Sequence, residues 1–303
     1  MRKKTFHLLA ALLMMLTATL TSCEKFVLDD SNAQARNADG NVTIRIEQVQ
    51  NTKISNLSRA ASEKDLKEIC SRISFAVFDV EEKLQNINQT KETQGFGTAH
   101  FNLDEGEYRL VVIAHNGTGN CTISSPEKIK FASNKLTDTF YYYGRLSVTE
   151  EGAQADIHLT RPVGAFKLHI TDETLPEDAK SIKFYYTGGS STPDATTGYG
   201  CVNSRQTESF SLSAEQRDYT VYTFPHDAEE GKTIKMDISL LNPDAKAIKE
   251  FELPDVQMKR NTITKANLSI KDGTIKGDGE ETDEGNIGFT VDDEWETDTI
   301  VYF

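Results

Sequence analysis

Cysteine and histidine are the side chains best equipped for nucleophilic, acid–base or metal chemistry. The chain holds four of the first and six of the second. Their spacing argues against an enzyme. His100, His115, His158, His169 and His226 are dispersed, and no Cys-x-x-Cys pair or zinc-ligand set occurs. The sequence also lacks GxSxG, HExxH, Walker A and GxGxxG patterns. Gly188 to Ser191, GGSS, comes nearest to a nucleophile loop but lacks the strand-to-helix setting that such a serine needs. His158 and His169 stand among polar neighbours in strand-like runs, as solvent-facing residues do. Asp272, Asp278 and Asp283 do not have the ligand spacing of an EF-hand loop. The expectation is a protein with no catalytic residue, no cofactor and no metal.

One cysteine has another use. Leu20 to Lys25 read LTSCEK and close an apolar run, Leu8 to Leu20, that follows Arg2, Lys3 and Lys4. A cationic start and an apolar run of thirteen residues have the order and length of an export signal. The run is too short to span a bilayer comfortably as a mature helix. Leu20, then the small Thr21 and Ser22, then Cys23 resembles a bacterial lipobox. That implies cleavage between Ser22 and Cys23, with acyl chains on the cysteine as a lipid anchor. Each buried methylene contributes about 0.8 kcal/mol, so several chains hold a body on a membrane where one holds it only marginally.

Removing residues 1–22 moves the formal net charge from −14 to −17, which disfavours nucleic acid and anionic lipid headgroups. The acidic body suits a position off the membrane on a tether, and residues 23–40, without sustained periodicity, read as that tether. Cys70, Cys121 and Cys201 are an odd number. One bridge, Cys70 to Cys121 for example, is compatible with export but is not fixed by the sequence.

The elements that follow are strands. Val42, Ile44 and Ile46 alternate with polar residues, whereas residues 72–80, RISFAVFDV, are apolar on both faces and read as a central strand. Residues 62–70 suggest a short helix, with Ser62 as cap and Asp65 or Glu68 in its early turns. Ala99, Phe101 and Leu103, a turn at Asp104 to Gly106, and Tyr108, Leu110, Val112 and Ala114 predict a hairpin. Strands over 140–148 and 155–160 complete a first β-sandwich or Greek-key barrel over residues 41–161. Tyr141 to Tyr143 could form an aromatic glycan platform, but reads more simply as a half-buried strand with Tyr142 inward and its neighbours outward or at a seam. Pro162 suits a passage between domains, and a second set of strands fills 162–270 with no alignable sequence repeat. Residues 271–286 read as a solvated acidic loop, followed by a strand-like C-terminal segment that could pack on its own domain or be donated to a neighbour.

Several of these stretches resemble one family. They are the lipobox at Cys23, GEYRLVVIAHNG (106–117), LTRPVGAFKLHITD (159–172), KFYYTGGSSTPDATTGYG (183–200), VYTFPH (221–226) and MKRNTITKANLSI (258–270). Together they are similar to the FimB/Mfa family of Bacteroidetes fimbrial subunits, from about residue 42 to the C-terminal DDEW. The resemblance implies two tandem transthyretin-like Greek-key β-sandwiches in an outer-membrane lipoprotein. Its implied role is anchor or accessory subunit of type V fimbriae, lipid-anchored through Cys23, surface-exposed, and joined to other subunits by strand addition. The alternative is a surface adhesin or fimbrial tip that binds glycan or host protein. Stalk subunits of related folds are thought to be cleaved after a basic residue. Arg59 in NLSRAAS, or else Lys53, is the matching position here, although an anchor that must keep Cys23 attached would leave that loop uncut.

Overall fold

A computed structural model of the chain describes residues 40–50, 52–53, 65–80, 82–226, 233–277 and 290–292. Ser22, Cys23, Arg59, Ser62 and Trp295 lie outside the described residues. The first half carries β1 (Val42–Val49), β2 (Thr52–Lys53), helix α1 (Leu66–Ile69), β3 (Arg72–Phe78), β4 (Lys83–Thr90) and β5 (Thr98–Phe101). It continues with β6 (Gly106–His115), β7 (Thr122–Ser125), β8 (Lys128–Lys130), β9 (Thr139–Val148) and β10 (Ala153–Leu159). The second half begins with β11 (Gly164–Ile170), β12 (Ser181–Thr187), β13 (Pro193–Asp194), β14 (Tyr199–Gly200), β15 (Arg205–Ser211) and β16 (Asp218–Thr223). It ends with β17 (Thr233–Leu241), β18 (Ala247–Gln257), β19 (Ile263–Ser269), β20 (Thr274–Gly277) and β21 (Thr290–Asp292).

The fold is all-β and sandwich-like. In the first half, β1 lies between parallel β10 on one side and antiparallel β5 and β2 on the other, and the facing sheet runs β4-β3-β6-β9. Alternation explains the core between them, because side chains two residues apart share a face. Val42, Ile44 and Ile46 of β1 meet Ile73, Phe75 and Val77 of β3 and Leu110, Val112 and Ala114 of β6. The second half repeats this wiring. β11 lies between antiparallel β16 and parallel β19, and its facing sheet runs β15-β12-β17-β18. Its core gathers Phe166 and Leu168 of β11, Phe184 of β12, Ile238 of β17 and Leu268 of β19. The outer side of β19 carries β20 and β21, whereas β10 pairs with β1 alone among the described strands.

Four expectations change. The predicted hairpin is not one, since β5 pairs with β1 while β6 pairs with β3 and β9. Residues 102–105 carry the chain from one sheet to the facing sheet; alternation reports which face is buried, not which strand is the partner. Asn41 fixes this crossing by bonding both the N–H and the C=O of Leu103, at 3.0 and 2.8 Å. Helix α1 is a single turn capped by Asp65, whose carboxylate accepts from the Lys67 N–H at 3.0 Å. Within the acidic stretch read as loop, Thr274–Gly277 is strand β20, turned back onto β19 at Gly273, whose φ of +71° suits glycine. Finally, β4, β7 and β8 were not expected. β4 is a polar edge strand, KLQNINQT, with little apolar alternation to betray it.

Candidate functional site

Two features organise the body: the slot filled by β1 and the seam between the sheet pairs. Val42, Ile44, Ile46 and Val49 are all fully buried, so β1 fills the middle of its sheet as an apolar rod. Its outward side chains clasp the neighbours. Arg45 makes a two-pronged ion pair with Asp156 of β10, both contacts 2.8 Å, and Glu47 bonds His158 of β10 at 3.1 Å. Thr43 bonds His100 of β5 at 3.1 Å.

The seam is built from a third apolar cluster that takes residues from both halves. Ala76, Phe78, Val111 and Ile113 come from the outer face of β3 and β6. Ile123, Ile129, Phe131 and Leu136 come from β7, β8 and the turn after them, and Val163, Ala165, Ala195, Tyr222 and Phe224 come from the second half. This accounts for the two-faced burial of β3: one face meets the first core and the other meets the seam. Phe131 and Phe224 stack across it at 5.7 Å. Lys135 reaches the Thr207 carbonyl at 2.6 Å and the Glu208 carboxylate at 2.7 Å, and the Ala195 N–H donates to the Pro126 carbonyl at 2.8 Å.

Arg161 fastens the linker itself. Its side chain is fully buried and forks onto Asp138 of the first half at 2.7 and 2.9 Å. It also donates to Asn261 of the second half at 3.0 Å and lies 4.7 Å over the Phe140 ring. Burial pushes the Asp138 carboxyl up from its ordinary value while the guanidinium pulls it back. A buried charge needs a partner of this kind, and the fork geometry of arginine supplies it.

Apart from the lipobox, which lies outside the described residues, the stretches that carried the family resemblance converge on this seam. Arg161 and Val163, Ser190 and Ala195, Tyr222 and Phe224, and Arg260 and Asn261 all come from them. Arg260 sits 4.7 Å over the Tyr199 ring and 5.8 Å over the Tyr141 ring, and donates to the Thr197 carbonyl at 3.2 Å. Tyr142 packs on the first core, while Tyr141 and Tyr143 pack on the seam, so this aromatic run is half-buried strand. Sequence reading missed Asp138, Phe131, Ile123 and Ile129. No local pattern marks Asp138, whose partner lies 23 residues away.

Catalytic geometry is not what these residues form. Ser190 of GGSS is buried, donates to the Thr192 carbonyl at 2.8 Å and accepts from the N–H groups of Thr192 and Val202. His158 and His169 face solvent beside Glu47 and Asp218. Cys70, Cys121 and Cys201 are free thiols, which corrects the Cys70–Cys121 bridge entertained from sequence. Cys70 packs in the first core and Cys121 in the seam cluster, on opposite faces of the β3–β6 sheet. Burial, with Asp138 adding, holds the Cys70 thiol far above its ordinary value, and burial pushes Cys121 up to about 11. Neither is an active nucleophile at neutral pH. Among the described residues no group of three or more His, Cys, Asp or Glu side chains is arranged to hold a metal ion.

The family model of the fimbrillin-A associated anchor proteins Mfa1 and Mfa2 matches residues 29–301. The chain belongs to this family. Membership associates it with fimbriae and the cell surface. Among solved structures, a candidate cell adhesion protein from Bacteroides ovatus is similar at 14% identity and a TM-score of 0.44, over 78% of this chain and 93% of that one. A fimbrial assembly protein from Parabacteroides distasonis is similar at 11% identity and a TM-score of 0.36, over 78% and 92%. The fimbrial anchor protein Mfa2 from Porphyromonas gingivalis gives 10% identity and a TM-score of 0.35, over 77% and 93%. No curated protein matches.

Proposed function

We propose that this chain is an outer-membrane lipoprotein that anchors, or serves as accessory subunit to, a type V fimbria. Its family membership carries the reading, and the lipobox order ahead of Cys23 supports the lipid end of it. The placement of β1 supports the rest. Arg59 lies between β1 and the remainder of the body, so cleavage there would remove the lipid together with four fully buried side chains and leave an open groove between β5 and β10. An anchor keeps this strand, and Arg59 remains uncut. The two halves, 41–161 and 162–270, then act as tandem modules between membrane and fibre. Contact with other subunits is by strand addition, in which a partner segment pairs with exposed backbone at a sheet edge. The outer side of β19 suits it, because β21 is held there by only three register pairs and is short enough to give way.

The test compares the wild-type protein with Cys23→Ala in cells that make the fibre. The wild type is expected to sediment with outer membranes as a mature, acylated species that begins at Cys23, with fibres retained on the cell. Cys23→Ala is expected to be absent from the outer-membrane fraction as an acylated species, with fibres lost from the cell. A wild-type species beginning at Ala60, or fibres and protein held normally by Cys23→Ala, would overturn the reading.

A further inference from the structure

The direction in which the chain runs through its two parallel strand pairs has a mechanical consequence. β1 and β10 are parallel, with Val42 opposite Ala153 at one end and Val49 opposite Leu159 at the other. The chain enters β1 at the Val42 end and leaves β10 at the Leu159 end. Tension on the entering segment draws β1 one way along its axis, while tension on the departing segment draws β10 the other way. The second half repeats this. β11 and β19 are parallel, with Ala165 opposite Ile263 and Ile170 opposite Leu268. The chain enters at the first pair and leaves at the second.

We infer that the body is a force clamp, in which tension between its N-terminal end and the end of β19 loads both parallel pairs in shear, one after the other. In shear the inter-strand hydrogen bonds stand across the direction of pull and share it, whereas in unzipping they break one at a time from one end. Side chains brace the same strands. Arg45 to Asp156 and Glu47 to His158 cross from β1 to β10. The Asp172 carboxylate, just past β11, accepts the N–H groups of Ile270 at 2.6 Å and Lys271 at 2.9 Å, just past β19. Between the two pairs, Thr160 exchanges both backbone bonds with Tyr141, and Arg161 ties the linker to Asp138 and Asn261, so the link has little slack. β20 and β21 pair antiparallel on β19 and peel first when the pull comes from beyond them. The clamp goes beyond the anchor reading: it is a property of this chain whichever partner pulls.

Single-molecule pulling on the full chain tests it without altering the strands. One pair of handles is attached just ahead of Gly40 and at the exposed Lys271, which loads both parallel pairs in shear. The other is attached just ahead of Gly40 and at the exposed Glu105, which pulls antiparallel β1 and β5 apart from their shared Val42–Phe101 end. At one loading rate, the first geometry is expected to rupture at no less than about twice the force of the second, since forced unfolding follows the barrier crossed rather than overall stability. A smaller ratio overturns the clamp. Loss of fibres from cells bears on the anchor reading and leaves this ratio untouched, so the two fail separately.

Discussion

His115 ends β6 with 1% of its surface exposed, edge-on to Phe131 at 5.3 Å. Its Nδ1 accepts the Gly117 N–H at 3.0 Å, which leaves the proton of the neutral ring on Nε2, a buried atom with no hydrogen-bond partner. Protonation would put a second charge into this apolar site near Arg72. Burial first, and Arg72 second, pull the imidazole down to about 4 from its ordinary value. A base with a depressed folded value stabilises the fold above its unfolded value and loses that contribution as pH falls toward the folded one. Between pH 7 and pH 4.5, His115 is therefore expected to withdraw about 2 to 3 kcal/mol of stability. Urea unfolding of the wild type and His115→Gln at the two pH values measures this, as the part of the acid loss that the variant lacks. Equal acid losses in both proteins would remove His115 as the cause. Arg161 shows the opposite solution to burial: its charge stays because Asp138, Asn261 and the Phe140 ring surround it.

At the scale of elements, the strands with one buried face were readable, because alternation is a direct record of burial. β1, β3, β6, β11 and β12 stand where their patterns put them, and the two-faced apolar run of β3 marked a strand covered on both sides. Two kinds of information were missing. Pairing partners leave no trace in alternation, so β5 and β6, adjacent in sequence and facing one core, looked like a hairpin although they belong to different sheets. β4, a polar edge strand, carries little apolar alternation, which hid it; β7 and β8 are too short to show a period. The seam was half legible. Pro162 marked the passage between sheet pairs, but the ion pair that fixes it joins residues 23 apart with no local signature. The face assignment of β1 makes a direct prediction. Ile44→Ala, in a fully buried position between β5 and β10, is expected to cost about 2 to 5 kcal/mol, as large-to-small core substitutions do. Gln154→Ala, on the exposed face of neighbouring β10, is expected to change stability by less than about 0.5 kcal/mol. Denaturant midpoints of both variants decide it, and similar costs at the two sites would mean that β1 is not seated as described.

For the whole molecule the question is whether two sheet pairs behave as one body or two. Each has its own core, and chains of this length ordinarily divide into separately melting domains. The seam argues otherwise. It buries Phe78, Ile113, Phe131 and Leu136 of the first half together with Val163, Ala165, Tyr222 and Phe224 of the second, and the described residues from Gly40 onward belong to one compact unit. If either half unfolded alone, the other would expose this apolar surface to water at about 25 cal/mol for each Å², and Arg161 would lose its bond to Asn261 across the seam. That penalty opposes any state with one half folded, so heating is expected to give a single calorimetric transition whose van't Hoff enthalpy equals the measured one. Phe131→Ala should weaken the coupling while sparing both cores, since Phe131 belongs to the seam cluster alone and stacks on Phe224 across it. In that variant the van't Hoff enthalpy should fall below the calorimetric one, as a broadened or divided peak. Two separate transitions in the wild type would mean that the halves melt independently, with Arg161 in a linker between two bodies rather than inside one.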